Sequence, residues 1–436
     1  MRNTRRTFLG TLTALGGLSG AGPVVGATAT ADAWDHDEAD TDGGRVSHER
    51  RAYWYTKADE PADTVEVWGR VGRESGTDRY PAWTADGVYR AGVRVSHDGD
   101  MWAANWWTEG DEPGPDSDQW SQVESDGTSD GTDGETPADR HGQLQVDGTQ
   151  LCDDTGEPVQ LRGMSTHGIQ WYGWDEFLTP DALDALAYDW SADCCRVAMY
   201  VQEDGYETDP EGFTDEVNQI VDAVTERGMY AIIDFHIHDP GDPLASLDLA
   251  ERFFDDVAAE HADKDNVVFE ICNEPNGVDW ASIKEYAETI IPIIRDHDSE
   301  SPIVVGTRGW SSPGLADIGA DGPQEIIDDP VEGENLLYAF HFYAATHGEW
   351  ERNQLADAAH PIFVTECGSM EASGDGENDF DSAQAFMDVL SDNDISWMFW
   401  SYSDDWRLSG IWQEDDWTTD SLTEAGEWVR RQIRDQ

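Results

Sequence analysis

The chain has 436 residues, 26 of them Lys or Arg and 92 Asp or Glu, for a formal net charge of −66. Such a charge repels phosphate backbones and anionic lipid surfaces, which sets aside nucleic acid and membrane surfaces as partners. The 38% of hydrophobic residues and the 20 Trp argue for a folded core under an acidic surface and against a disordered polyanion.

Only Lys57, Lys264 and Lys284 are lysines. A surface stocked with Asp and Glu and nearly free of Lys suits molar salt, where screening over about 3 Å suppresses self-repulsion. The composition therefore predicts salt adaptation. Residues 1–31 carry Arg5-Arg6-Thr7-Phe8-Leu9, a weakly apolar Gly/Ala/Leu run and small residues near Ala27-Thr28-Ala29. This pattern resembles a twin-arginine export signal and is too weakly apolar to anchor in a bilayer, so a secreted, extracellular protein is expected.

Residues 32–77 are acidic and mixed, and suggest no particular fold. From 78 to 123 the composition turns to aromatics, Gly and turn residues, among them Tyr80-Pro81-Ala82-Trp83, Tyr89, His97-Asp98-Gly99, Met101-Trp102, Asn105-Trp106-Trp107-Thr108 and Trp120. Short strands joined by Asp-Gly and Pro-Gly turns predict a small all-β module. Residues 124–140 offer almost nothing apolar to bury and read as an acidic, flexible linker.

Beyond it, apolar β-rich runs at 159–165, 194–200, 230–236, 267–273, 303–307, 336–343, 361–366 and 396–402 alternate with helical patterns. The helices are expected at 181–189, 214–227, 247–261, 280–297 and 381–391. Eight such units predict an α/β fold, a (β/α)8 TIM barrel over 141–433 with its chemistry at the C-terminal strand ends. Cys152, Cys194, Cys195, Cys272 and Cys367 are odd in number and mostly lie in apolar runs, which predicts buried thiols and no disulfide framework. No spacing suggests a zinc site.

The fourth run ends Asn273-Glu274-Pro275 and the seventh Thr365-Glu366, so two strands deliver one carboxylate each to the same mouth. Paired glutamates are what glycoside hydrolysis needs, one held protonated for the leaving oxygen and one ionised to attack the anomeric carbon. Strand parity places Arg196, Asp234, His236, His341, Tyr343 and Trp400 toward the lumen or its rim. Glu270 shares parity with Glu274 but lies deeper, and is expected to be structural.

Leu161-Arg162-Gly163 through His167-Gly168-Ile169-Gln170-Trp171-Tyr172-Gly173, then Arg196-Val197-Ala198-Met199-Tyr200, Asp234-Phe235-His236, Asn273-Glu274-Pro275-Asn276, His341-Phe342-Tyr343, Thr365-Glu366-Cys367-Gly368 and Trp400-Ser401 together resemble the bacterial endoglucanases of glycoside hydrolase family 5. The resemblance implies a retaining endo-β-1,4-glucanase with Glu274 as acid/base and Glu366 as nucleophile. It further implies supporting roles for Arg196, Asn273, His341 and Tyr343, and sugar contacts from His167, Trp171, Tyr172, His236 and Trp400. It implies no metal and no organic cofactor.

The 78–123 segment resembles the small carbohydrate-binding modules of families 5 and 12 found on cellulases and chitinases, with Tyr89, Trp106 and Trp107 as the expected sugar-facing row. Trp83, Trp102 and Trp120 could equally form its core. The expected partner is a β-1,4-linked polysaccharide, cellulose or, through the module, chitin, and a monomer is expected. Two alternatives stand beside this reading: the same mechanism on mannan, xylan, mixed-linkage glucan or chitin derivatives, and a noncatalytic polysaccharide-binding protein.

Overall fold

A computed structural model describes residues 135–434 except 175, 176, 320, 321 and 414–420. Before them it describes residues 45–48, 51–54, 69–70, 83, 85, 88–89, 94–97, 100–104, 108–115, 117 and 119–123. The expected export signal, Trp106 and Trp107 lie outside these residues, as does most of the expected linker; Tyr89 lies in a strand, its side chain outside the description. The chain divides into two compact units, 1–130 and 131–436.

In the first unit, Arg45–His48, Arg51–Trp54 and Gly69–Arg70 form one antiparallel sheet. Arg94–His97, Asp100–Ala104 and Trp120–Val123 form another, with His97 paired to Asp100 across the Asp98-Gly99 step. Val88–Tyr89 pairs with Thr108–Glu109. Val95, Trp102 and Trp120 form a small buried cluster against which Trp83 packs, and the Trp120 indole donates to the Asp111 carbonyl at 2.8 Å. Of the tryptophans whose place the sequence left open, Trp102 and Trp120 are thus core and Trp83 is half-buried against them.

The second unit is a closed barrel of eight parallel strands in sequential order. They are β1 (Arg162–Thr166), β2 (Cys194–Tyr200), β3 (Tyr230–His236), β4 (Val267–Glu270), β5 (Ile303–Val305), β6 (Leu336–Tyr343), β7 (Ile362–Gly368) and β8 (Trp397–Tyr402). β2, β3 and β6 match their expected bounds. β4 and β5 are shorter than expected, because the chain leaves the ladder after Glu270 and Val305 to form the loops of the mouth. β1 starts late because Val159 N–H donates to the Leu151 carbonyl, pairing that segment with a hairpin below the barrel.

That hairpin, Gln145–Asp147 with Gln150–Cys152, closes the N-terminal pole. Leu144, Leu151, Val159 and Leu161 pack against inward side chains from seven strands, among them Cys194, Ile232, Val268, Val304, Leu337, Phe363 and Met398. A second, larger apolar layer lies between the strands and the helices. Helix starts follow local chemistry. Pro210–Glu226 and Phe380–Asp392 begin one or more residues before the expected positions because Asp209 and Asp379 accept from Gly212 and Ser382 N–H groups. The expected helix 181–189 is an α-turn, Pro180–Asp184, that widens into a π-turn over Ala185–Asp189.

Helical segments also form where none was anticipated. Pro137–His141 lies mostly inside the stretch read as linker, where Thr136 and Asp139 make a reciprocal cap. Between β5 and β6 the chain forms short helices at Arg308–Ser311, Leu315–Ile318 and Gly322–Asp328. All five cysteines are buried and free, as expected. Among the described residues no helix is long and apolar enough to cross a membrane.

Leu161 is fully buried at the junction of hairpin and barrel. Leu161→Ala should cost about 2–5 kcal/mol, read as a lower urea midpoint in molar NaCl; a change below about 0.5 kcal/mol, the size of an ordinary surface substitution, would show that the barrel floor is not part of the cooperative core.

Candidate active site

The C-terminal ends of the strands converge on one buried guanidinium. Arg196 of β2 donates from Nε to Glu270 Oε2 at 2.6 Å, from Nη2 to Glu270 Oε1 at 3.2 Å and to Asn273 Oδ1 at 2.6 Å. Its Nη1 reaches Glu366 Oε2 at 3.3 Å and Ser165 Oγ at 3.2 Å, and Nη2 lies 3.0 Å from Asp234 Oδ2. Burial opposes its charge, but Asp234, Glu270 and Glu366 more than offset this and hold it protonated. Glu270 is thus a structural anchor, as its depth suggested.

Glu366 also accepts from the Tyr343 hydroxyl at 2.5 Å. Across the mouth, Glu274 Oε1 lies 2.9 Å from His341 Nδ1. The tautomer of His341 follows from its other side. Thr365 donates to Glu270 Oε1 at 2.7 Å, so its hydroxyl accepts from His341 Nε2 at 2.9 Å. Burial pushes His341 down to about 4, so the ring is neutral and Nδ1 presents a lone pair to Glu274. Only a protonated Glu274 can donate to it, and burial pushes that carboxyl up to about 7.

Burial raises Glu366 as well, and nearby Glu274 adds to the rise, while Arg196 and the Tyr343 hydroxyl pull the other way. The two carboxyls therefore sit in unlike surroundings, with proton-accepting histidine on one side and a guanidinium and phenol on the other. An oxygen of Glu274, an oxygen of Glu366 and a ring nitrogen of His341 come within 4.8 Å of one another. This is the one cluster with metal-ligand potential among the described residues; the hydrogen bond already joining two of its members gives them another use.

Behind Arg196, burial raises Asp234 and lowers His236, while the Arg196 guanidinium pulls Asp234 back down, and the two side chains meet at 2.6 Å. His236 stacks on Tyr200 at 4.0 Å and faces Trp400 at 5.6 Å. His167 meets Trp171, Tyr172 and Trp400 at 5.6, 4.9 and 5.2 Å. All five residues expected to contact sugar thus join one aromatic bed. Trp400 is only 7% exposed and offers a small part of its ring, whereas Trp171 is 43% exposed.

Several members escaped the sequence reading. Thr365 and Glu366 are consecutive yet both reach the site, which strict alternation forbids; the β6–β7 register shifts between Ala339 and His341, turning the strand locally. Tyr200, at the end of β2, lies between Trp171 and His236. Trp310 sits in a turn in which Gly309, Trp310 and Ser311 all have positive φ, 72°, 56° and 51°. Trp310 N–H donates to the Pro275 carbonyl at 3.1 Å and Ser311 Oγ to the Asn273 carbonyl at 2.5 Å, so this strained turn clamps the loop carrying Glu274.

Gly306 supports the same loop from below. A Cβ there would fall 2.2 Å from the Cys272 carbonyl oxygen and 2.9 Å from Pro275 Cδ, contacts that only a shift of the loop can relieve. Gly306→Ala should therefore lower kcat about 10²-fold, the cost of a misplacement near 1 Å, with the circular dichroism spectrum retained. Unchanged kcat would mean that Glu274 is not positioned through this contact.

Comparison with known proteins agrees with this geometry. The model of the cellulase family, glycosyl hydrolase family 5, matches residues 152–405. Endoglucanase E-5 of Thermobifida fusca is 51% identical over 334 residues, 75% of this chain and 70% of the relative. Endoglucanase MaCel5A of Microbulbifer sp. (strain ALW1) is 43% identical over 394 residues, 82% of this chain and 76% of the relative. The crystal structure of the catalytic domain of the Thermobifida fusca endoglucanase Cel5A (E5), since also crystallised as a variant with cellotetraose, is 52% identical and covers 69% of this chain and all of that one, with a TM-score of 0.67. With the model matched across most of the barrel and two endoglucanases alike over most of their length, the chain belongs to glycoside hydrolase family 5.

Proposed function

We propose that in this retaining endo-β-1,4-glucanase Glu366 is the nucleophile and Glu274 the acid/base. The observation that carries the assignment is the pair of carboxyls within 4.8 Å, one beside a histidine lone pair and the other beside Arg196 and Tyr343. So close an approach of one oxygen from each carboxyl is in keeping with the short separation, about 5–5.5 Å, that retention uses.

A carboxylate oxygen of Glu366 attacks the anomeric carbon while the Glu274 proton passes to the glycosidic oxygen and the C–O bond breaks. Glu274, now ionised, takes a proton from water, whose oxygen displaces Glu366 from the glycosyl ester. Asn273, whose Oδ1 is fixed by Arg196, turns its amide toward the 2-hydroxyl of the sugar. Arg196 and Tyr343 keep Glu366 ionised and aimed, and His341 steadies the proton on Glu274. His167, Trp171, Tyr172, His236 and Trp400 bind sugar rings through apolar faces with wet edges.

Reducing-sugar release from carboxymethylcellulose in molar NaCl tests the roles. Glu366→Gln should lose about 10³-fold or more, and Glu274→Gln about 10²–10⁴-fold; activity surviving Glu366→Gln would overturn the nucleophile. Because Glu274 must be protonated and its pKa lies near 7, kcat/KM should fall as pH rises through about 7. In Glu274→Gln, assayed with an aryl cellobioside whose leaving group needs no acid, that alkaline limb should vanish. A limb that persists would place the titrating acid elsewhere.

We further propose that the enzyme works outside the cell after twin-arginine export, in high salt and as a monomer, and that residues 78–123 bind insoluble polysaccharide, cellulose or chitin, through Tyr89, Trp106 and Trp107. Supporting the module are its described antiparallel strands and the match to the Microbulbifer endoglucanase, which takes in more of this chain than the barrel unit contains. The full chain should sediment with microcrystalline cellulose in molar NaCl. Trp106→Ala with Trp107→Ala should abolish that while leaving carboxymethylcellulose turnover intact, and undiminished sedimentation would remove these residues from the binding face.

A further inference from the structure

Among the described residues of the barrel unit, four indoles are conspicuously exposed: Trp171 by 43%, Trp310 by 45%, Trp350 by 42% and Trp406 by 73%. Exposed tryptophans distributed at random would fall on the helical belt and on both poles. Here all four follow the C-terminal end of a strand. Trp171 follows β1, Trp310 follows β5, Trp350 opens the helix Glu349–Ala356 after β6, and Trp406 lies in the loop after β8. An indole left wet in this way gives up a large burial contribution, and its recurrence at one pole marks a surface made for flat apolar faces.

Their order around the ring carries more. The strands close in sequential order, so β5 and β6 occupy the short arc between β4 and β7, while β8 and β1 lie on the other arc. Glu274 follows β4 and Glu366 lies in β7. A straight path from the Trp310/Trp350 side to the Trp171/Trp406 side must therefore cross the line joining the two glutamates. That is the path a linear glucan needs if one carboxyl is to stand on each side of the scissile bond.

Trp171 and Trp310 belong to the inner site, the first through its ring contacts to His167 and Tyr200, the second through its bond to Pro275. Trp350 and Trp406 have no part in the chemistry derived above. Trp406 borders a cavity of about 330 Å³ lined by Asn378, Asp404, Arg407 and Gln413, which sets polar groups beside an apolar face, the two requirements of a pyranose. We infer that Trp350 and Trp406 are outer sugar platforms at opposite ends of the cleft, so that the enzyme grips a glucan segment longer than the one its catalytic centre touches. The inference rests on the endoglucanase reading and extends it to substrate length.

The test compares full-length Trp350→Ala, Trp406→Ala and the double variant on carboxymethylcellulose and on 4-nitrophenyl cellobioside, in molar NaCl. Each single change should lower kcat/KM on the polymer about fivefold, and the double about 25-fold, since separate sites combine multiplicatively. The ratio of polymer to cellobioside kcat/KM should fall by the same factors, and Trp→Tyr at either position should restore most of it. An unchanged polymer value for either variant overturns that platform. An equal fall on the cellobioside overturns the inference by showing a general effect on the fold or the centre. If the unaltered enzyme cleaves no β-1,4-glucan at all, the endoglucanase reading and this inference fall together, whereas normal wild-type cleavage with unaffected variants overturns only the latter.

Discussion

A cation without water has to be matched by anions, and in this barrel the guanidinium of Arg196 is wholly buried among Glu270, Glu366 and Asp234. Removing one member of such a set leaves an uncompensated buried charge, costing several kcal/mol. The set also ties together strands that are distant in sequence, since Arg196 comes from β2, Glu270 from β4 and Glu366 from β7. Asn273 is fixed by the same guanidinium. The ion cluster therefore acts as the template on which the proposed reacting groups are mounted, so that fold stability and the geometry of the candidate site share one interaction.

From this template the separation of the two glutamates follows. Glu366 is buried and Glu274 nearly so, and desolvation alone would favour the protonated form of both. Arg196 and Tyr343 face Glu366, so its charge has partners. Glu274 faces a histidine whose protonated nitrogen is directed by Thr365, which is in turn directed by Glu270. Donation thus runs from the proposed acid Glu274 through His341 and Thr365 to Glu270 of the ion cluster, so that the anchor carboxylate orients the partner of one glutamate while its guanidinium partner faces the other. A two-carboxylate mechanism needs this kind of asymmetry, because like groups at such a distance would otherwise compete for the same proton.

The rim follows a different rule from the centre. In the centre, aromatic rings are buried against histidines and give a shaped floor. At the rim, tryptophans on loops of β1, β5, β6 and β8 stay in contact with water. The strained turn at Gly309–Ser311 belongs to both regions, holding Trp310 outward while clamping Asn273 and Pro275. Backbone strain at such a point is tolerated because the surrounding hydrogen bonds over-determine the conformation.

Much of this was legible in the chain itself. Eight apolar runs of strand length, separated by amphipathic helices, determined a sequential barrel, since apolar periodicity reports burial directly. Asn273-Glu274 and Thr365-Glu366 at run ends determined which carboxylates face the mouth. Polar residues far apart in sequence could be grouped only because they share strand ends and parity. Other features depended on contacts that no local pattern encodes. The bulge between β6 and β7, which lets Thr365 and Glu366 act together, arises from the match between two strands and leaves no mark on either alone. The tautomer of His341 depends on a hydroxyl from β7 and a carboxylate from β4. The turn presenting Trp310 is held by carbonyls of a loop more than thirty residues earlier. Periodicity and strand parity determined the scaffold and the carboxylates that face the mouth, because burial acts residue by residue; the proton's place and the rim's geometry were decided by tertiary structure, because hydrogen-bond direction and strain belong to pairs of segments brought together by the closed barrel.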